Sequence, residues 1–418
     1  MAICLLGEGR EGASPPARHD TSHRCRAVTY RVAMTFGTLA LLVAAGLVGP
    51  ALSSLRTVAP PTVVGEIIAG VVIGTSGFGW LDPNDVTLRM FADVGFAMLM
   101  FVVGTHLPLR NQALRPALAR GALVAITAGG LALGVGWLVS SWVEPHRPLI
   151  LAVLVATSSA AVAMPILQES GRTDHTAMVV MSWLAIADVA TVLVIPLVLS
   201  SGSTARVVTG GLVVITGTVA AGWVAVLVAG RRVVRGLREA SRERGWALDL
   251  RVSLLMLFVA AWLATRFGTS ILIAGFATGA LVAVLGEPRR VAQQLIGLGE
   301  GFFVPIFFVE LGARLDLGAL FRSPRALILG VALLAGAVLV HVTAAGIWRI
   351  PLGAGLLATA QLGVPSAIVT IGLRTGELTP AQAAAIMTAV LGSLAVCAVG
   401  ANLLGYRRPI GDHVAPAE

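Results

Sequence analysis

Charged residues are scarce in this sequence. They make up 12% of the 418 residues, whereas hydrophobic residues make up 56% and the mean hydropathy is +0.88. An ordinary soluble domain is about one quarter charged, so this composition excludes that class and indicates a polytopic membrane protein in a lipid bilayer. The formal net charge of +9 lies in short connections between apolar runs, where it records membrane orientation, and it predicts no nucleic-acid partner.

Cysteines and phosphate-binding motifs are also lacking. Cys4, Cys25 and Cys397 are too few and too scattered for a disulfide framework or a metal site. No glycine-rich loop follows a strand pattern, so we expect no nucleotide site and no cofactor. Glycine and proline, in contrast, are abundant, with 48 and 20 residues. Inside apolar runs they indicate closely packed helices whose crossings are kinked or interrupted.

The apolar runs predict an all-α fold with about thirteen transmembrane helices, because a crossing takes roughly 17 to 25 residues. Their predicted bounds are 34–54, 61–80, 88–107, 117–142, 148–168, 174–200, 206–230, 250–267, 269–286, 295–313, 324–347, 351–374 and 381–405. Arginines concentrate in alternate connections, for example at Arg56, Arg172 and Arg349, and those connections should face the cytoplasm. This predicts a cell-membrane protein with a cytoplasmic C-terminus and an external N-terminus.

Both ends of the chain are polar. Residues 1–33 are predicted to be a disordered tail, or to precede a true start at Met34. Their basic residues conflict with an external N-terminus, so either the start is misassigned or one crossing is miscounted. The Arg-rich connection from Gly230 to Leu250 is predicted to be a cytoplasmic linker between two halves of the bundle. Residues 407–418 predict a short cytoplasmic tail without a nucleotide-binding domain.

One acid lies in the middle of a predicted crossing. Asp188 is about fourteen residues from the start of the run 174–200, which places its carboxyl near the middle of the hydrocarbon at 1.5 Å per residue. A carboxylate at that depth is costly. We therefore interpret Asp188 as an ion- or proton-binding residue rather than as an acid that caps a helix junction.

Two crossings contain helix-breaking residues in corresponding positions. The Thr-Ser-Ser sequence 157–159 precedes Pro165, and Gln361 precedes Pro365. A proline removes a helical hydrogen bond, and ordinary kinks would explain one such helix. Two of them, one just before the Asp188 crossing, favour two inverted repeats whose broken helices face a substrate site, as in secondary transporters.

Six segments carry a family resemblance. They lie at 60–80, 93–109, 157–172, 185–199, 276–282 and 302–317; the first reads PPTVVGEIIAGVVIGTSGFGW, and the fourth reads AIADVATVLVIPLVL and contains Asp188. In their order along the chain they resemble the monovalent cation:proton antiporter-2 family, the Kef-type sodium or potassium/proton exchangers. The resemblance spans the chain from Met34 to Tyr406.

The resemblance implies a transmembrane antiporter domain at 34–406. Such proteins have a core with two crossed broken helices, here around 117–200 and 324–405, and a dimerisation or scaffold domain, here around 34–107 and 206–313. Asp188 would be the essential carrier acid of a homodimer. Many relatives have a second acidic or amide residue just before this Asp, whereas this chain has Ala187, which favours electroneutral exchange of one proton for one cation.

Polar residues at the predicted breaks can serve as ligands. Burial disfavours a bare carboxylate, so a proton can occupy Asp188, and dehydrated Na⁺ or K⁺ can replace the proton when oxygen ligands support it. The hydroxyls of Thr157 and Ser158, or carbonyls freed by the break, are suitable; alternatively, these hydroxyls bond back to their own helix. Gln361 lies at the corresponding place in the second half.

Further titratable side chains lie in apolar runs. Glu310 is expected to pair with His341 or Arg314, or else to supply a second titrating site. His341 is either a proton acceptor or a hydrogen-bonded structural group, which is the commoner role of a lone histidine in an apolar crossing. For Glu66 we prefer capping or packing at the start of its helix. Asp93 lies in the first turns of its crossing, where the helix dipole favours an acid.

The leading interpretation is a secondary antiporter that exchanges H⁺ for Na⁺ or K⁺. A gated K⁺ efflux system or a membrane sensor on the same fold is the alternative. An intramembrane protease would need two carboxylates close together, or a serine with a histidine partner, and neither pattern surrounds Asp188 or Ser158. We therefore expect that the protein is not an enzyme.

Overall fold

The computed structural model of the chain is all-helical within the residues that it describes. Those residues are 34–54, 61–105, 115–143, 146–160, 162–163, 175–199, 204–229, 240–241, 244, 246–267, 271–285, 294–295 and 297–404. The predicted tails 1–33 and 407–418, Pro165 and most of the connection from Gly230 to Leu250 lie outside them.

The described helices follow one another with short connections. In chain order they are α1 (Phe36–Ser53), α2 (Thr62–Ile73), α3 (Val86–Thr105), α4 (Arg115–Trp142), α5 (Pro148–Ala156), α6 (His175–Leu199), α7 (Thr204–Ala229), α8 (Leu248–Arg266), α9 (Ile271–Leu285), α10 (Val304–Arg314), α11 (Leu317–Arg322), α12 (Pro324–Ile347), α13 (Leu352–Ala358), α14 (Gly363–Thr375) and α15 (Pro380–Leu403). A π-helical turn at Gly299–Phe303 leads directly into α10.

Each predicted crossing overlaps at least one described helix, and the crossing at 351–374 consists of two helices around a break, so the predicted all-α fold is confirmed. Most of the second part of the crossing at 148–168 lies outside the described residues. Among the described residues, 7 helical segments are long and apolar enough to cross a bilayer, with Leu352–Thr375 taken as one segment. Three more are apolar but shorter: Thr62–Ile73, Thr209–Ala220 and Ile271–Val284. The sequence analysis missed the short helix α11, which lies in a connection.

Serine, threonine, proline and glycine set the ends of several helices. Ser323 and Thr379 each accept a hydrogen bond from a backbone N–H of the following first turn. A proline occupies the first position of both α12 and α15, where its missing N–H would have no helical partner in any case. Gly376 ends α14 with φ 74°, in the left-handed region that glycine adopts without strain.

The helices pack in two groups. The first, which we call the core group, contains α4, α5, α6 and α11 to α15, with α12 packed against α4, α5, α13 and α15. The second, the scaffold group, contains α1, α2, α3 and α7 to α10, with α3 packed against α9 and α10. Between the groups, α6 contacts α7 and α9. That these groups act as a mobile core and a dimerisation domain stays a prediction.

Glycines let α2 and α10 touch backbone to backbone. A Cβ added at Gly70 would lie 2.1 Å from the carbonyl oxygen of Val309. A Cβ added at Gly312 would lie 2.2 Å from the carbonyl oxygen of Ile67. Neither distance admits a methyl group, so the crossing of these helices depends on both glycines, as in other closely packed membrane helices.

Replacement of Gly70 by alanine should therefore lower the thermal stability of the purified protein. The added methyl must push α2 from α10, and overpacking of this kind costs about 1–3 kcal/mol. The matched control is Gly134→Ala in α4, because nothing lies within 4 Å of a Cβ at that glycine. Thermal unfolding in detergent, followed by tryptophan fluorescence, should show a lower midpoint for Gly70→Ala only. Equal midpoints in the two variants would contradict the close α2–α10 contact.

Candidate functional site

Asp188 lies in the middle of α6 and is buried. Its side chain is 5% exposed, and its Oδ2 atom accepts a hydrogen bond of 3.3 Å from the backbone N–H of Ala160. Ala160 is the residue at which helical backbone resumes after an interruption. The carboxyl of Asp188 thus faces the start of a half-helix, where unpaired N–H groups favour negative charge.

The first predicted break is present. Helix α5 ends at Ala156, and Thr157 has extended backbone, with φ −68° and ψ 142°. The following residues to Ser159 are also outside any helix. The break therefore lies at the Thr-Ser-Ser sequence, level with Asp188, and its backbone groups are free to bond outside their own helix.

The second predicted break is also present, between α13 and α14. The backbone of Leu362 departs from helical geometry, with φ −152° and ψ −71°. Pro365 lies in the first turn of α14, where a residue needs no N–H partner, so this proline helps to begin the second half-helix. The interruption itself occupies the residues before it, around Gln361.

The two breaks are hydrogen-bonded to each other. The N–H of Ser159 donates to the carbonyl oxygen of Ala360 at 2.6 Å. The Nε2 atom of Gln361 donates to the carbonyl oxygen of Leu154 at 2.7 Å, which is a carbonyl near the end of α5. These bonds run in both directions across the crossing, so each interrupted helix supplies partners that the other lacks. Gln361 acts here as a bridge, and its own N–H donates to Ser393 Oγ at 3.1 Å.

Two hydroxyls at the first break are buried, and one of them contacts α6 close to Asp188. Thr157 and Ser158 are each 1% exposed. The Oγ1 atom of Thr157 is 3.5 Å from that of Thr191, one turn after Asp188 in α6. Thr191 donates its single proton to the carbonyl of Ala187 or of Asp188, so Thr157 must be the donor between the two hydroxyls. This leaves the lone pairs of Thr157 available to a ligand.

Ser158 has a buried hydroxyl without a described hydrogen-bond partner. Buried polar groups are nearly always paired, and an exception needs a reason such as a bound ion or water. Neither Ser158 nor Thr157 makes the bond back to its own helix that the sequence left open as an alternative, as far as the described residues show. Both hydroxyls are thus buried at the break that also supplies the Ala160 N–H to the Asp188 carboxyl.

The other predicted site residues lie apart from Asp188. Glu310 pairs with Arg314, one turn on in α10. The Nδ1 of His341 donates to the Ala337 carbonyl at 2.8 Å, and its ring stacks on Trp183. Among the described residues, neither Glu310 nor His341 has a contact with Asp188. His341 nevertheless lies close to the first break, because its ring also bonds to the backbone of Ala156, the last residue of α5.

Glu66 is buried in α2, in the scaffold group, and its Oε2 atom has no described hydrogen-bond partner. Its side chain lies against α1, where a Cβ added at Gly49 would be 3.0 Å from the Cγ of Glu66. It is not brought to Asp188 by any described contact. Within the described residues, no group of three His, Cys, Asp or Glu side chains is placed to hold a metal ion.

Sequence reasoning missed Thr191 and Ser393. Thr191 could have been found, because a hydroxyl three positions after Asp188 shares its helix face. Ser393 could not, since it contacts the crossing from α15, and nothing local in the sequence marks that contact.

Comparison with known proteins identifies a family of cation transporters. The sodium/hydrogen exchanger transmembrane family matches residues 39–403. YjbQ of Bacillus subtilis strain 168, a protein named for Na⁺/H⁺ antiport, is 27% identical over 358 residues, or 80% of this chain and 57% of YjbQ. KefC of Salmonella paratyphi B, a protein named for glutathione-regulated potassium efflux, is 29% identical over 305 residues, or 70% of this chain and 47% of KefC. The chain thus spans about half the length of these relatives.

A solved structure has the same fold. The sodium proton antiporter MjNhaP1 from Methanocaldococcus jannaschii aligns with a TM-score of 0.60, over 88% of this chain and 96% of that one. The sequence identity is 14%, so this likeness shows the fold alone.

The bridge made by Gln361 can be tested by Gln361→Met, which keeps the side-chain length and removes the donor. The buried carbonyl of Leu154 then loses its partner, and an unsatisfied buried group costs about 1–3 kcal/mol. We expect a lower midpoint of thermal unfolding and lower transport than in the parent. A Gln382→Met variant serves as the control, because Gln382 caps α15 at a half-buried position away from the crossing. Equal losses in the two variants would argue against the bridge.

Proposed function

This chain belongs to the sodium/hydrogen exchanger family, and from that premise we propose that it exchanges H⁺ for Na⁺ or K⁺ by alternating access at Asp188. The observation that carries the proposal is the buried carboxyl of Asp188 beside two broken helices that hydrogen-bond to each other. The relatives are named for transport, which supports this function over the intramembrane protease.

Exchange follows from one site with two exclusive occupants. A bare carboxylate at 5% exposure, with one described N–H donor from Ala160, is poorly compensated for the water it has lost. A proton removes the charge, and a monovalent cation balances it. Because the empty site is the costly state, the core group crosses with one occupant or the other, and this links the two fluxes.

The cation needs oxygen ligands besides the carboxylate. We assign that role to the hydroxyls of Thr157 and Ser158, which lie at the break and are nearly inaccessible to solvent. The Ser158 hydroxyl supports this assignment most directly. It is buried and has no described hydrogen-bond partner, and a bound cation would stabilise such a group. Hard oxygen ligands of this kind suit Na⁺ and K⁺.

Alternating access requires one body to move against another. The core group carries Asp188 and both breaks, and its contacts with the scaffold group through α6, α7 and α9 are limited. We infer that the core group moves within a scaffold group that also forms the contact of a homodimer. The protein would lie in the cell membrane with its C-terminus in the cytoplasm, as the arginine pattern predicts.

One acid at the site favours electroneutral exchange. Ala187 occupies the place where many relatives have a second polar group, and Glu310 is already paired with Arg314. Asp188 therefore holds one proton or one monovalent cation in each cycle. Net charge movement across the membrane is zero for such a cycle.

A gated K⁺ efflux system remains the second candidate, because the chain is similar to KefC, a protein named for potassium efflux. On this function Asp188 would control opening, and cations would pass without a counter-movement of protons. Cation flux that continues when no proton moves would favour it.

Asp188→Asn should abolish cation-dependent proton flux in proteoliposomes with an imposed pH gradient, because the amide can neither release a proton nor balance a cation. The flux should fall to that of empty liposomes with Li⁺, Na⁺ or K⁺ outside. Asp316→Asn is the matched control, since Asp316 is an acid with a 44% exposed side chain at the start of α11. Parental flux in Asp188→Asn would refute the assignment of the site.

The stoichiometry makes a separate prediction. If one proton exchanges for one cation, Na⁺-loaded vesicles with a fixed potassium gradient should show the same initial rate of proton flux with and without valinomycin, because valinomycin adds only the membrane potential. A net charge of one per cycle would instead add about 2.3 kcal/mol of driving force per 100 mV. A rate that rises or falls with the imposed potential would rule out electroneutral exchange.

A further inference from the structure

An ion pair joins the two helix groups. The Oδ1 atom of Asp93, in the scaffold helix α3, is 2.7 Å from the Nη2 atom of Arg374, in the last turn of the core helix α14. The two side chains are 32% and 35% exposed, so the pair lies between water and the packed interior. A link between a moving group and a fixed one cannot keep the same length through a transport cycle.

A second contact joins α3 to the other end of α14. A Cβ added at Gly363, the first residue of α14, would lie 2.8 Å from the Cε atom of Met100 in α3. Asp93 and Met100 are seven positions apart, and Gly363 and Arg374 are eleven apart, so each pair lies on one face of its helix. Side chains of α3 therefore reach α14 at both of its ends, at Gly363 and at Arg374.

The face of α14 between these contacts is polar. Ser366 and Thr370 follow Gly363 at the spacing of one helix stripe and lead to Arg374. Ser366 Oγ donates to the carbonyl of Leu362 at 2.7 Å. Thr370 Oγ1 is buried and has no described hydrogen-bond partner. The Thr370 hydroxyl lies between the second break and the half-exposed ion pair. Because it lacks a partner, it could bind a water molecule or a cation that passes between them.

We propose that the Asp93–Arg374 ion pair is a gate that closes one end of a cation path between α3 and α14. The path leads past Thr370 to the crossing and Asp188. This inference rests on the proposed function, since a path needs a transported ion. The gate lies at the membrane face of the α14–α15 turn, which the arginine pattern predicts to be external. It opens when the core group moves and the pair separates.

Reversible cross-linking tests the gate. Asp93→Cys with Arg374→Cys, in a protein with Cys4, Cys25 and Cys397 replaced by alanine, is treated with a short bifunctional methanethiosulfonate, and the yield is read by mass spectrometry. The cross-link should lower cation-dependent proton flux by about tenfold or more, because alternating access needs each face to open in turn. A reductant should restore the flux, which shows that the variant is folded.

A second ion pair supplies the matched control. Arg147, just before α5, pairs with Glu377, just after α14, so both residues belong to the core group and move together. Cross-linked Arg147→Cys with Glu377→Cys should keep the flux of its reduced form. If the Asp93–Arg374 cross-link also leaves the flux unchanged at full yield, the gate is overturned.

A readout that does not depend on transport separates the gate from the proposed function. Thr370→Cys, alone in the cysteine-free protein, is labelled by a membrane-impermeant methanethiosulfonate added from the external face. Asp93→Asn should raise the labelling rate several-fold, whereas Glu377→Gln should leave it unchanged. Equal rates in Asp93→Asn and the parent would overturn the gate. Absence of any cation-dependent proton flux in the parent would refute the proposed function, and labelling would still decide the gate.

Discussion

The fold depends on a constraint of the bilayer: backbone N–H and C=O groups cannot be left unpaired in hydrocarbon. Two interrupted helices would each leave several such groups without partners. Here the interruptions satisfy each other, through Ser159 to Ala360 and through Gln361 to Leu154. Neither break is stable alone, so the two halves of the chain must bring them to one place. That place is the crossing, and the Asp188 carboxyl faces it from α6.

Local signals were sufficient to predict much of this arrangement. The lengths of the apolar runs predicted the helices, and the Thr-Ser-Ser sequence 157–159 and the residues around Gln361 predicted the breaks. Counting from the start of its run placed Asp188 at mid-membrane. Each of these signals, such as the length of an apolar run or the position of a helix-breaking residue, depends only on residues that are close together in the sequence. Such signals can therefore be recognised without a structure.

The remaining features depend on contacts between distant parts of the chain. The partner of Gln361 is the carbonyl of Leu154, and a carbonyl has no sequence signature. The sequence left two possible partners for Glu310. It pairs with Arg314, because residues four positions apart lie next to each other on one helix, whereas His341 lies in the other helix group. Only packing decides such choices, and the sequence alone left them open.

The helix α14 connects the crossing to the proposed gate. It begins at the second break, ends one residue beyond Arg374, and has 13 residues, which is about 20 Å of helix. A single rigid helix transmits any displacement of one end to the other. In the proposed cycle, a movement that reorients the crossing would therefore also move Arg374 relative to Asp93. On the proposed function, the cost of an empty Asp188 would then control when this happens, since a neutralised site crosses the apolar interior at a much lower cost than a charged one.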